Sequence, residues 1–211
     1  MVKLFVLGKC RIQTPYATIL PRAGKLFPLA MYLVVERGRP VSRRRLTTLF
    51  WPDRSERAAN HSLREALSRL RRKGFQLQGD DEALQVLLPR TAACIDIDQL
   101  AGMDLHDFAA REYRVLPGYE PAGAALHQDW VDDTRERLQG TVVSYLLESV
   151  KHAQMAAQWD VVCHVTEQIL ELDPENRAAE MALAHARKAM RGRPLPGVAH
   201  RGMAREASQD D

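Results

Sequence analysis

The sequence predicts an α+β module at the N-terminus, followed by an all-α module and a polar tail. Strand-like runs and helical periodicity alternate up to residue 92, and helical periodicity alone continues to about residue 191. The charge balance also changes sign between the two parts. We therefore expect boundaries at 1–92, 93–191 and 192–211, with the last range disordered because it is rich in Gly, Pro and charge.

The first module begins with two short strands. The runs KLFVLG and KCRIQT are strand-like, and Gly8 lies between them. A polar loop with Pro15 and Pro21 follows. From residue 24 apolar residues recur every three or four positions, which predicts a first helix that ends at RGRP. Its apolar residues are Leu26, Leu29, Ala30, Leu33 and Val34.

Two more helices are expected next. Ser42 is placed to cap a helix that runs through Arg45 to Phe50, and Val41 precedes it as a hydrophobic staple would. After WPD, a third helix is expected over residues 56–73.

A β-hairpin is predicted to close the module. Gly74 is suited to cap the third helix. The strand-like runs 75–78 and 83–88 then flank the turn sequence GDDE. Three helices closed by a hairpin give the outline of a winged helix-turn-helix.

The third helix has one apolar and one polar side. With successive residues 100° apart, the inner side consists of Ala59, Leu63, Ala66, Leu67 and Leu70. The outer side consists of Arg57, His61, Arg64, Glu65, Ser68 and Arg72. Arg69 and Arg71 fall nearer the flanks of the outer side.

The charge around these helices favours a nucleic-acid partner. Residues 37–73 contain 12 Lys and Arg against 3 Asp and Glu, whereas residues 96–175 contain 5 against 16. Arg43, Arg44 and Arg45 stand at a helix start, where positive charge opposes the helix dipole. An anionic partner explains them better than solubility does, although two solvated surfaces of opposite charge remain the plain alternative.

These side chains predict a division of labour on double-stranded DNA. Arg43, Arg44 and Arg45 are expected to bind phosphates, as are the flanking Arg69 and Arg71. The residues expected to meet base edges or adjacent phosphates are Arg57, Arg64, Ser68 and Arg72. His61 lies on the same outer side and is also expected to take part in DNA binding.

The second module is predicted to be helical throughout. A long apolar side begins near Trp130, a second helix is expected over residues 159–172, and a third over residues 176–190. Pro174 separates the last two. Helical hairpins of this kind suggest tetratricopeptide-like repeats, although the match to that consensus is loose.

The same residues carry a resemblance to a known family. GRPVSRRRLTTLF followed by WPDRSERAANHSLREALSRLRRKG resembles the OmpR-like winged-helix domain of SARP-type bacterial transcriptional activators. IDID, LPGYE and LELDP are similar to segments of that family's bacterial transcriptional activation domain. The resemblance covers roughly residues 2–190 and implies a DNA-binding activator, with Arg64, Ser68, Arg69, Arg71 and Arg72 on the recognition helix. It also implies a helical domain that supports dimerisation and regulation. In the family this domain usually continues through further helix pairs, so the domain is expected to be shortened here.

Other chemistries have little support in the sequence. Asp104, His106 and Asp107 are scattered carboxylates and an imidazole without metal-ligand spacing, and no phosphate-binding loop or nucleophile motif occurs, so we expect no enzyme, cofactor or metal. Three distant cysteines argue against disulfides and for a reducing compartment. No signal peptide or apolar run of about 20 residues occurs, which predicts a cytoplasmic protein without a membrane partner.

Two functions from different classes therefore stay open. The first is a sequence-specific DNA-binding transcriptional regulator whose acidic helical module contacts protein, either RNA polymerase or a second copy of the chain. The second is a protein-interaction adaptor built on the tetratricopeptide-like helices, in which the basic module binds DNA weakly or not at all.

Overall fold

The chain folds into an α+β unit followed by a helical region, as the sequence predicts at that level. The computed structural model describes residues 1–79, 84–103, 111–121 and 125–191. Its strands are β1 Val2–Phe5, β2 Arg11–Gln13, β3 Thr18–Ile19, β4 Val41–Ser42, β5 Gln85–Val86 and β6 Ala93–Ile95. Its α-helices are α1 Leu26–Val35, α2 Arg43–Phe50, α3 Glu56–Arg72, α4 Ala125–Met155, α5 Trp159–Leu172 and α6 Arg177–Arg191.

A mixed sheet in the order β3-β2-β1-β6 forms one layer of the N-terminal unit. β1 pairs antiparallel with β2 and parallel with β6. β3 occurs in the stretch expected to be only a loop, because Ile19 is buried and pairs with Ile12. β6 follows residue 92, so the sheet takes strands from both sides of the expected boundary.

The predicted hairpin forms only in part. Residues 80–83, at its tip, lie outside the described residues. Gln78 and Leu87 make one antiparallel bridge, but β5 pairs with β4. The prediction of a strand at 75–78 is wrong for residues 75–77 and holds only for the bridge at Gln78. The Phe75 amide donates to the Leu70 carbonyl at 3.1 Å, at the end of α3, and the Phe75 ring is buried in the core.

The three helices of this unit begin, end and pack as their sequences indicate. All ten residues of α1 are buried. α3 buries the five residues that the helical periodicity selected, namely Ala59, Leu63, Ala66, Leu67 and Leu70. Ser42 caps α2 by accepting the Arg45 amide at 3.2 Å, and Ser55 accepts the Ala58 amide at 3.4 Å. Gly74 follows α3 with φ +95°, a conformation that other residues rarely adopt.

The helical region consists of three successive helices among the described residues. α5 has the bounds that the sequence predicts, and it packs against both α4 and α6. The turn from α4 to α5 includes Ala157 at φ +53°. Asn176 begins α6 by accepting the Ala179 amide at 3.1 Å.

Two sets of contacts join the helical region to the N-terminal unit. The buried Asp96 carboxylate accepts the backbone amides of Val6 and Leu7 at 3.0 Å, which fastens the segment after β6 to the end of β1. The ring of Trp130 in α4 lies 4.7 Å from that of Tyr32 in α1. The start of α4 therefore packs on α1, and also on α2, since the ring of His127 lies 5.1 Å from that of Phe50.

Candidate nucleic-acid interface

One side of α3 is an exposed polar surface. A shallow groove along it is lined by His61, Arg64, Glu65, Ser68, Arg69 and Arg72. Their side chains share this surface because they recur at three- and four-residue spacing opposite the buried stripe. Four guanidinium or imidazole groups in one groove offer hydrogen-bond donors for base edges and phosphates. We name this surface the α3 groove.

A second groove lies on the neighbouring side, between the first turns of α2 and α3. Arg43, Arg44 and Arg54 line it, together with Thr47, Asn60 and other residues, and Leu84 lies at its far edge. Arg64 also lines it. Arg64 therefore stands between the two grooves and is a member of both. We name the second surface the α2–α3 groove.

The three consecutive arginines of α2 do not act as one cluster. Arg44 is exposed and Arg43 is half-buried. Arg45 donates from Nε to the Tyr32 hydroxyl at 2.7 Å, on the side of α2 that faces α4. Burial raises the pKa of Tyr32, and the hydrogen bond from Arg45 acts in the opposite direction. Arg43 and Arg44 remain on the α2–α3 groove, whereas Arg45 is directed away from it.

Arg71 has an internal role that the sequence does not reveal. Its guanidinium donates to the carbonyl of Gly79, just before the hairpin tip, and the residue is half-buried. Its Nη2 contact joins the end of α3 to the hairpin. The expected phosphate contact of Arg71 therefore has a structural competitor within the chain.

The other predicted residues are spread over the exposed surface. Arg57 is exposed but lines neither groove, since it lies one turn before the α3 groove begins. Glu65 lies 3.6 Å from the imidazole of His61, one turn earlier on the same face of α3. Both side chains of that pair are more than two thirds exposed, and the contact contributes little to stability.

Arg54 and Asn60 belong to the α2–α3 groove but were not selected from the sequence. Arg54 donates to the Ser62 hydroxyl at 2.6 Å, and that hydroxyl donates to the Ala58 carbonyl at 2.9 Å. This chain holds the Arg54 guanidinium against the first turns of α3. The position of Arg54 in the sequence is the one signal that indicates its place in the site, since it lies in the turn between two helices whose arginines are candidates.

His127 is buried where α4 meets α2. Its ring lies 5.1 Å from Phe50 and stacks at 6.2 Å on Trp130. Neither ring nitrogen has a hydrogen-bond partner in the part of the chain that the structure describes. Burial, aided by the positive charge of Lys25, lowers the pKa of His127 to about 4. The imidazole is therefore neutral at pH 7.

Few other groups in the described ranges suggest catalysis or metal binding. Asp104, His106 and Asp107 lie outside the described residues. Within those ranges no three His, Cys, Asp or Glu side chains are grouped so that they could hold a metal ion. The three cysteines are free thiols, and burial raises the pKa of Cys10 to about 12, which makes it a poor nucleophile. No described helix has the length and apolarity needed to cross a bilayer.

Searches against protein families, curated proteins and solved structures found no match to this chain. The geometry and charge of the two grooves are therefore the features that bear on function.

Proposed function

We propose that this protein is a sequence-specific DNA-binding transcriptional regulator, with α3 as the recognition helix of a winged helix-turn-helix. The observation that carries the proposal is the position of Arg64, which stands between two arginine-lined grooves on an exposed helix face. A helix of about 10–12 Å diameter fits the major groove of B-DNA, which is about 12 Å wide. In that position the two basic grooves would face the phosphates on either side.

Each groove has its own proposed task. Arg64 and Ser68, at the centre of the exposed face, would meet base edges, because a guanidinium binds guanine O6 and N7 in a bidentate manner. Arg43, Arg44 and Arg54 would bind one backbone, and Arg69 and Arg72 the other. Arg45 is left out of this assignment because its guanidinium is hydrogen-bonded to Tyr32.

The helical region is proposed to bind protein and not DNA. It is strongly acidic over residues 96–175, and an acidic surface repels phosphate. Tetratricopeptide-like helices would give it a surface for RNA polymerase or for a second copy of the chain. The activating role is part of the same proposal and follows from the resemblance of residues 38–74 to SARP-type activators.

The test begins with selection of bound duplexes from a random pool by the purified full chain. The enriched duplex and a shuffled duplex are then titrated by fluorescence anisotropy at several salt concentrations. We expect tighter binding to the enriched duplex and affinities that fall linearly on logarithmic axes as salt rises. Absence of enrichment, with equal weak binding to both duplexes, would contradict sequence-specific recognition and favour the protein-interaction adaptor.

A further inference from the structure

A third depression, distinct from the two grooves, lies between α2 and the start of α4. Its volume is about 540 Å³. Its apolar residues are Leu49 from α2 and Leu126 and Trp130 from α4. The depression therefore lies at the contact between the N-terminal unit and the helical region. We name it the α2–α4 cleft.

The two walls of the α2–α4 cleft carry opposite charges. Arg44 and Arg45 lie on the α2 wall, and Asp129 and Asp133 lie on the α4 wall. The two carboxylates are four residues apart and so occupy the same side of α4. Within the described part of the chain, no ion pair closer than 4.0 Å joins these arginines to these aspartates. The two carboxylates thus lie across the cleft from Arg44 without an ion pair to it in the described residues.

Arg44 belongs to two surfaces at once. It lines the α2–α4 cleft and also the α2–α3 groove, where a DNA phosphate is proposed to lie. Its long side chain is exposed, so it can turn to either side. Arg45 does not have this freedom, because its Nε is hydrogen-bonded to Tyr32.

We infer that Asp129 and Asp133 compete with a DNA phosphate for Arg44, so that the start of the helical region weakens DNA binding from within the chain. This inference depends on the proposed DNA-binding function and adds a regulation to it. A partner that moves α4 or neutralises its carboxylates would release Arg44 and tighten the complex with DNA. The helical region would in this way be connected to the DNA-binding surface through one side chain.

The expected effect is modest, because all three groups are exposed. Exposed charge pairs are worth little individually, so removal of both carboxylates should tighten DNA binding about three- to fivefold beyond the general effect of two fewer negative charges. The matched control removes the same charge from the same helix. Asp132 and Glu136 are also exposed on α4, and neither lines the cleft. Asp132→Asn also removes the charge of the exposed Asp132–Arg135 ion pair at 2.8 Å, a contact worth little to stability.

The experiment compares five full-length proteins on the enriched duplex: wild type, Asp129→Asn/Asp133→Asn, Asp132→Asn/Glu136→Gln, and each of these two double variants combined with Arg44→Ala. We expect the cleft variant to bind more tightly than the control variant, and we expect this difference to vanish when Arg44 is alanine. Circular dichroism of every variant checks that the helices remain.

Two results would overturn the inference. In the first, the cleft and control variants bind DNA equally, so that only net charge matters. In the second, the advantage of the cleft variant persists with Arg44→Ala, so that the carboxylates act on another group. Failure of the proposed function itself would be recognised separately, because wild type and every variant would then lack specific DNA binding, and the inference would fail with it.

Discussion

From the sequence alone, the arginines of α2 and those of α3 are equally suited to bind DNA, but in the structure their side chains are arranged differently. Arg43, Arg44 and Arg45 are consecutive, and successive residues on a helix point about 100° apart. Their side chains consequently diverge, and Arg45 is hydrogen-bonded to Tyr32. The polar residues of α3 recur at three- and four-residue spacing, and six of them line a single groove.

The comparison indicates that the spacing of arginines along a helix, more than their number, decides how many of them can face one ligand. A run of arginines raises the local potential, but it cannot present all its members to one ligand. The α3 groove has fewer charges per residue than the run of arginines in α2, but all of them lie on one face of the helix. DNA recognition is therefore expected to be more sensitive to changes in α3 than in α2.

The largest expected effect concerns the packing that holds α2 against α4. His127 is buried beside Phe50, and its pKa is lowered to about 4 from an ordinary value near 6.5. Because the folded pKa is the lower one, this stabilisation is present above pH 6.5 and is lost as pH falls toward 4. Urea unfolding between pH 7.5 and 4.5 should show a loss of about 1–3 kcal/mol from this residue.

Two variants sharpen that result. His127→Phe should flatten the pH dependence between pH 6.5 and 4.5, whereas His152→Gln, which removes only an exposed contact with Glu148 at 3.8 Å, should change it far less. An unchanged pH dependence in His127→Phe would mean that other groups cause the acid loss.

The next effect is on base reading from α3. Arg64→Ala should weaken binding to the enriched duplex by about 1–3 kcal/mol, since one bidentate base contact is lost. Titration of duplexes with single base-pair changes should show that discrimination is lost at one position only. Equal weakening on all duplexes would place Arg64 on phosphate and not on a base.

The proposed phosphate contacts should give a smaller and uniform effect. Arg72→Ala should weaken binding to enriched and shuffled duplexes alike and should reduce the logarithmic salt slope by about 1. The slope is measured by anisotropy at four or more salt concentrations. A change in sequence preference would contradict this role for Arg72.

The smallest effect on DNA binding is expected from Arg45. Tyr32→Phe removes the acceptor of the Arg45 hydrogen bond and should lower the free energy of unfolding by about 0.5–1.5 kcal/mol, while DNA affinity stays within twofold. Arg45→Ala should behave in the same way. If Arg45→Ala weakened DNA binding as much as Arg64→Ala, the contrast between the two helices would be wrong.

Periodicity predicts the parts of this fold that depend on local sequence. The buried stripe of α3, the Ser42 cap and the bounds of α5 all follow from residues close in the chain. β3 and the pairing of β4 with β5 did not follow, because two-residue strands leave almost no pattern. The pairing of β6 with β1 joins residues about 90 positions apart, which no local signal predicts.

The candidate site was predictable to the same extent. The exposed face of α3 follows from helical geometry alone. Helical geometry does not predict the directions of the Arg45 and Arg71 side chains, because each is hydrogen-bonded to a group elsewhere in the chain. Arg45 donates to the Tyr32 hydroxyl, and Arg71 donates to the Gly79 carbonyl. Arg54 was missed for a related reason, since its place in the α2–α3 groove depends on how the two helices pack.

The most direct test of the central claim repeats the selection from a random duplex pool with Arg64→Ala and Arg45→Ala beside the wild-type chain. If the α3 face reads the sequence, the motif selected by Arg64→Ala will lose its preference at one base pair and keep the rest, and the motif selected by Arg45→Ala will match that of wild type. Identical motifs from all three proteins, or a lost preference with Arg45→Ala alone, would contradict the assignment of recognition to α3.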